Sequence, residues 1–331
     1  MCAVALPEHP RTLVTAPLRG AGLDKLRAIA DVIYDPWIDQ SPLRMYDADK
    51  LAERATKEGA EVLIVEADVV KGPVVELPLI AVGSTRGDPN NVDIAACTAR
   101  RIPVLNAPGR NGDAVAELAV ALIFAVNRHL LDADRDVRAG ETFRDGTIPY
   151  QRFRAWEVNG QTVGLVGLGA VGRALQWRME GLGARVISFD PYNPSATHSD
   201  LAQLLGEADI VSMHAPVTPE TTGMIGAEQF AAMKDGAVFI NTARAHLHDT
   251  DALVDALREG KLSGAGLDHF IGERLPTDHP LTTLDNVVLT PHIGGATYDT
   301  ESRQAGMIAD DLERLLTGAK PHHIMNPEVL T

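Results

Sequence analysis

The chain holds 331 residues, 45% hydrophobic and 23% charged, which excludes a disordered or fibrous protein and suffices for two ordinary domains. Its 45 acidic residues outweigh 30 basic ones for a net charge of −15. That balance argues against nucleic acid or an anionic membrane as main partner and requires a local basic site for any anionic small ligand.

Short apolar runs alternate with helical patterns from the start. Residues 11–16 (RTLVTA), 31–34, 62–66, 79–82 and 103–106 read as strands, and 22–29, 46–58 and 91–100 as helices. Such alternation predicts a parallel sheet covered by helices on both faces. The polar segment 83–91 (GSTRGDPNN) follows the fourth strand. Ligands of open α/β sheets bind beyond the carboxyl ends of strands, so this loop is a site candidate. Turn residues cluster at 108–112 (PGRNG), the first domain boundary. A long apolar helix is predicted over 113–131, capped by Asp113 and buried between domains or subunits, because it is apolar around most of its circumference. Residues 135–157 read as a polar, irregular segment carrying Arg138, Arg144, Arg152, Arg154 and Trp156. Beyond it come strands over 162–166, 185–189, 210–214, 238–241, 265–268 and 287–290, and helices over 171–182, 201–205, 227–233, 251–259 and 297–316.

Two cysteines, Cys2 and Cys97, imply no disulfide framework and fit a reducing compartment. Residues 1–10 lack the basic and apolar regions of a signal peptide, and no apolar run approaches the ~20 residues of a membrane span. The expectation is a cytoplasmic protein.

Gly167-Leu168-Gly169-Ala170-Val171-Gly172 joins the strand at 162–166 to the helix at 171–182. It reads G-x-G-x-x-G in its proper strand–turn–helix context. Gly167, Gly169 and Gly172 would permit a tight turn, close approach of a pyrophosphate and close helix packing. The helix start adds unpaired N–H groups and partial positive charge. Asp190, at the end of the next strand, stands where a dinucleotide fold places the acid that binds the ribose diol. It would repel a 2′-phosphate, and Pro191, Tyr192 and Asn193 bring no cation, so NAD is expected over NADP.

Three later strands each run into polar motifs: N-T-A-R at 241–244, L-D-x-F-x-x-E at 267–273 and T-P-H-I-G-G at 290–295. With Asn106-Ala107-Pro108, Val115-Ala116-Glu117 and the glycine turn, these segments resemble the D-isomer-specific 2-hydroxyacid dehydrogenases, in particular the phosphoglycerate dehydrogenase-like branch, over nearly the whole chain. The resemblance implies two Rossmann-like, doubly wound α/β domains. A substrate domain of 1–110 and 296–331 would carry an inserted NAD-binding domain of 111–295, with a cleft closing about two hinges. It also implies an NAD-dependent exchange between a D-2-hydroxy acid and its 2-keto acid, of glyoxylate/hydroxypyruvate or phosphoglycerate type.

Catalysis is implied for Arg244, Glu273 and His292. An imidazole suits the proton transfer because it titrates near working pH, a paired carboxylate would set its tautomer, and a guanidinium can hold the substrate carboxylate and polarise the C2 oxygen. Cofactor contacts are implied for Ala170 and Val171 at the pyrophosphate, Thr242 and Ala243 at the nicotinamide ribose, Asp268 and Gly295 at the nicotinamide, and His214 and Pro216 at the adenosine side. Backbone around Ser84, Thr85, Arg86 and Gly87 would hold the substrate carboxylate. Arg86 is expected to bind a second anionic group, the alternative being an ion pair with Asp88 or Asp93.

The sequence departs from the family pattern at Ala245, where glycine is usual, and at His246, His248 and His269. Those three histidines raise a metal alternative, but the chemistry needs no metal and none is expected. A formate dehydrogenase would carry glutamine at Glu273. A dimeric corepressor-type NAD(H)-sensing scaffold is the alternative from another class. The chain ends soon after its last helix, so no regulatory domain is expected. The apolar helix and basic segment suggest a homodimer through the cofactor domain.

Overall fold

The computed structural model describes residues 7–331. They divide into two compact units, one formed by the chain up to Arg110 together with Thr297–Thr331, the other by Asn111–Ala296.

The first unit is built on five parallel strands: β1 (Arg11–Val14), β2 (Asp31–Tyr34), β3 (Val62–Val65), β4 (Ala81–Ser84) and β5 (Val104–Leu105), in spatial order β2-β1-β3-β4-β5. Val62–Val65 is buried at every position, the continuous apolar run required of a strand covered on both faces. Helices Gly20–Ile29 and Tyr298–Leu316 pack together over one face. They cross at Gly22, where a methyl group would lie 2.2 Å from the amide nitrogen of Gly306. That contact seats the last helix on the first and completes the unit from both chain ends.

The second unit carries β6 (Thr162–Val166), β7 (Arg185–Phe189), β8 (Ile210–Met213), β9 (Ala237–Asn241), β10 (Leu262–Leu267) and β11 (Val287–Leu289), all parallel, in the order β11-β10-β9-β8-β6-β7. From β6 the chain steps to β7 on one side and then returns to β8 on the other. The glycine turn therefore leaves the sheet at its topological switch point, where doubly wound sheets bind ligands.

The predicted elements are present with ends shifted by a few residues, and two regions differ. The long helix ends at Asn127, and a second helix, Leu130–Ala139, departs at 61° after His129 takes a left-handed conformation (φ 51°). Residues 135–157 are thus not wholly irregular: they continue that helix and add a turn at Pro149–Arg152, and Arg152 with Arg144 engages the buried Asp136. No single helix among the described residues is long and apolar enough to cross a membrane. Helix Gly112–Asn127 buries Ala116, Ala119, Leu122, Ile123 and Val126 in the second unit's own core. It lies close on β10, where a methyl group at Gly264 would meet Val126 at 2.6 Å. β10 begins at Leu262, earlier than its pattern suggests, because the glycines there carry no apolar signal.

Candidate active site

The parallel register of β9, β10 and β11 brings the ends of these strands side by side. Asn241 closes β9 and organises the turn after it: its Oδ1 accepts from Ala243 N at 3.0 Å, and its Nδ2 donates to Arg244 O and to His248 Nδ1, each at 2.9 Å. Ala245 opens a short 3-10 turn with an ordinary negative φ, so the position usually held by glycine places no conformational demand here. Burial pushes the His248 imidazole down to about 4.

Asp268, fully buried just past β10, clamps the segment that follows β11. Its Oδ1 accepts from Thr290 Oγ1 at 2.6 Å and Ile293 N at 2.9 Å, and its Oδ2 from Gly294 N at 2.8 Å. His292 lies inside the clamped segment with φ 56°, and Glu273 has φ 57°. Left-handed backbone is uncommon for residues other than glycine and concentrates at functional sites. In these conformations His292 Nδ1 meets Glu273 Oε2 at 3.0 Å. His269 lies beside them, its ring centroid 3.9 Å from that of His292 and its Nε2 3.4 Å from Arg244 Nη1. Burial, helped by the neighbouring His292 and Arg244, pushes the His269 imidazole down to about 3, so the ring is neutral. Arg244 also donates to Ala243 O at 2.6 Å.

The structure thus assembles Arg244, Glu273 and His292 around His269, a residue for which the sequence offers only the metal alternative. The set His246, His248 and His269 is not brought together: His246 is exposed, while His248 and His269 line a pocket of about 200 Å³ with Phe270 and Arg274. The positioning role of Asp268 leaves no local signal, because its partners lie in the segment after β11, whereas Asn241 acts on its own turn inside the motif at 241–244.

The glycine turn fits a dinucleotide. A methyl group at Gly167 (φ 100°) would lie 2.7 Å from Ala215 N, and one at Gly172 would lie 2.2 Å from Gly167 O. Nothing lies within 4 Å of a methyl group at Gly169, at the amino end of helix Ala170–Gly181, so this face is open to a phosphate. Ala170 and Gly169 are exposed and Val171 is half-buried. Asp190 is tied to the turn, accepting from Leu168 N at 2.8 Å with Oδ2 and from Tyr192 N at 2.9 Å with Oδ1. Thr242 Oγ1 is buried without a hydrogen-bond partner. Gly295 is half-buried and packs near Asn111. His214 contacts Ser212 Oγ at 2.9 Å, burial pushes its imidazole down to about 4, and Pro216 is exposed.

In the first unit Ser84 and Thr85 are buried at the end of β4. The turn is locked from β5, with Ala107 N donating to Arg86 O at 3.0 Å and Asn106 Nδ2 to Gly87 O at 2.8 Å. The Arg86 guanidinium donates to Asn90 Oδ1, a neutral partner. Among the described residues no ion pair joins it to Asp88 or Asp93.

A parallel α/β unit with a glycine turn at its switch point, and an imidazole–carboxylate pair beside a guanidinium at the same sheet, define a nicotinamide-dinucleotide oxidoreductase. Residues 120–294 match the model of the D-isomer specific 2-hydroxyacid dehydrogenase NAD binding domain. The chain is 37% identical to a glyoxylate reductase of Thermofilum pendens over 97% of its own length and 96% of that protein. It is 32% identical to a D-3-phosphoglycerate dehydrogenase of Methanocaldococcus jannaschii over 96% of its own length, but covers 59% of that longer protein. The NADPH-dependent glyoxylate/hydroxypyruvate reductase of Sinorhizobium meliloti superposes with a TM-score of 0.77 at 25% identity, over 96% of this chain and 98% of that one. The chain belongs to the D-isomer specific 2-hydroxyacid dehydrogenase family, and it is an oxidoreductase that exchanges hydride between a nicotinamide cofactor and a 2-hydroxy or 2-keto acid. Nothing in these relationships supports the corepressor alternative.

Proposed function

We propose that the protein interconverts a small D-2-hydroxy acid, of glyoxylate/hydroxypyruvate or phosphoglycerate type, and its 2-keto acid, with NAD as cofactor. The observation that carries this reading is the His292 Nδ1–Glu273 Oε2 pair at 3.0 Å. Glu273 takes the Nδ1 proton as its hydrogen bond, which leaves Nε2 as the nitrogen that gives a proton to the ketone oxygen in reduction and takes it from the hydroxyl in oxidation. Arg244 presents a planar fork of donors to the substrate carboxylate and the C2 oxygen, where charge develops. When bound, the nicotinamide supplies or takes up the hydride at C2. The N–H groups of Ala170 and Val171 would hold its pyrophosphate, Thr242 and Ala243 its nicotinamide ribose, and Asp190 its adenine ribose.

The cofactor choice rests on Asp190, which directly follows β7 where a dinucleotide fold places the acid that binds the ribose diol and repels a 2′-phosphate. Glu273, in place of glutamine, favours acid–base chemistry over formate oxidation. A homodimer through the second unit is supported by exposed apolar side chains on and after helix Leu130–Ala139: Leu130, Leu131, Val137, Phe143, Tyr150 and Trp156. Light scattering on the purified protein tests it, and a monomer at working concentration would refute it.

The enzymatic reading is tested by NADH consumption with glyoxylate, hydroxypyruvate, 2-ketobutyrate and phosphohydroxypyruvate. Turnover of at least one is expected, with kcat falling about 10²–10⁴-fold in His292→Asn while NADH still binds. A wild-type protein that binds NADH but turns over none of the four would sink the reading.

A further inference from the structure

Three ligating side chains of the second unit converge on one point. His269 has a side chain only 4% exposed, and its Nδ1 is buried without a hydrogen-bond partner, 4.0 Å from Glu273 Oε1. Glu273 Oε2 in turn lies 3.0 Å from His292 Nδ1. One ligand atom from each of the three residues lies within 4.8 Å of the other two.

We propose that His269, Glu273 and His292 form a site for a borderline divalent cation, above all zinc, and that zinc bound there inhibits the enzyme. Two imidazoles and one carboxylate make an open zinc site, with a fourth position for water or an anion. Magnesium and calcium, which demand oxygen ligands, are not suited to it. Tetrahedral coordination with bonds of about 2.1 Å places donors about 3.4 Å apart. Modest rotation of Glu273 and His292, both exposed, reaches that spacing around the fixed and buried His269. The neighbouring Arg244 guanidinium opposes a cation, so binding is moderate and an anion is favoured in the fourth position. Coordination takes the same Nδ1 that His292 presents to Glu273 and so removes the proton relay. Inhibition therefore rests on the dehydrogenase reading above, whereas binding does not.

The test is calorimetric titration of tag-free, full-length protein with zinc chloride, paired with the absorption spectrum of the cobalt(II) form as a probe of geometry. Wild type is expected to take up one zinc at this site and to show the intense visible bands of tetrahedral cobalt. His269→Leu, and separately Glu273→Gln, should weaken zinc binding at least tenfold, and magnesium should not compete. NADH binding by each variant reports that it folds. Inhibition, scaled to each protein's own metal-free rate, should move to correspondingly higher zinc in His269→Leu. Equal zinc affinity in wild type and both variants, or no zinc uptake by wild type, overturns the site. Weakened binding in His269→Leu with an unchanged inhibition curve overturns the inhibitory half and leaves the site standing.

Discussion

The carboxylate of Asp268 accepts the amide proton of Gly294 at 2.8 Å, joining the end of one strand to the segment after its neighbour. With Thr290 Oγ1 and Ile293 N on its other oxygen, Asp268 holds the stretch that contains His292 from both sides. The imidazole is thus placed by a buried charge that lies outside the reacting trio.

Asp268→Asn keeps the shape but turns an amide donor toward groups that also donate. The expected result is a loss of about 1–3 kcal/mol in urea unfolding, from hydrogen bonds to a charged group. A kcat lower by about 100-fold should accompany it, since an ångström of misplacement at a reacting group costs that much. A variant with wild-type kcat would show that the clamp is not what positions His292.

Glu273 sits at φ 57°, directly after Gly272 at φ 67°. Asparagine tolerates left-handed backbone better than glutamate does. Glu273→Asn should therefore be at least as stable as wild type, while kcat falls by about 10²-fold or more as His292 loses its partner. Thermal unfolding and steady-state kinetics on the same preparation check both halves, and a clear drop in melting temperature would contradict the strain argument.

Asp190 binds the glycine turn through Leu168 N at 2.8 Å, so its removal should act twice. Asp190→Ala is expected to lower the preference for NADH over NADPH, measured as a ratio of kcat/KM, by about tenfold or more, as repulsion of the 2′-phosphate disappears. The KM for NADH should rise as well, because the turn loses an anchor. Comparable efficiency of wild type with both cofactors would remove the basis for this prediction.

Among the described residues the Arg86 guanidinium donates to the neutral Asn90 side chain and to no acid, which leaves its charge to an anion. Arg86→Ala should raise KM for dicarboxylic or phosphorylated keto acids by about tenfold, the value of one charge-assisted hydrogen bond, and change KM for glyoxylate less. Equal effects on all substrates would place Arg86 outside substrate selection.

His248 is buried with its Nδ1 accepting from Asn241, and its imidazole is pushed down to about 4 by burial. In the unfolded chain the same ring titrates near pH 6.5. Between those values the unfolded state binds the extra proton. The stability that depends on a neutral His248 is therefore complete above about pH 6.5, falls as pH drops toward 4, and is lost below. The loss is about 3 kcal/mol at most. His248→Leu should be less stable than wild type at pH 8 by about 1 kcal/mol, through the lost hydrogen bond. The gap should shrink or reverse by pH 5. Urea unfolding at the two pH values measures it, and a gap that widens toward pH 5 would refute the assignment.

The signals legible along the chain are local ones. Strand and helix periodicity gave the alternation that dictates parallel sheets, Gly167–Gly172 announced its turn, and Asp190 stood at the right spacing behind it, because each signal is carried by neighbours along the chain. The motifs at 241–244, 267–273 and 290–295 were equally legible as strand ends. What those ends do to one another follows from the folded arrangement. Pairing of β9, β10 and β11 puts Asp268 against the 290–294 segment, and the folded chain brings His292 onto Glu273 and His269 against both, with His246 left exposed. Likewise the helix predicted over 113–131 broke at His129, and Arg86 met Asn90 instead of an acid. Side-chain identity along a segment sets its own conformation, but which buried charge meets which amide depends on strand register, and register is settled by packing between segments distant in sequence.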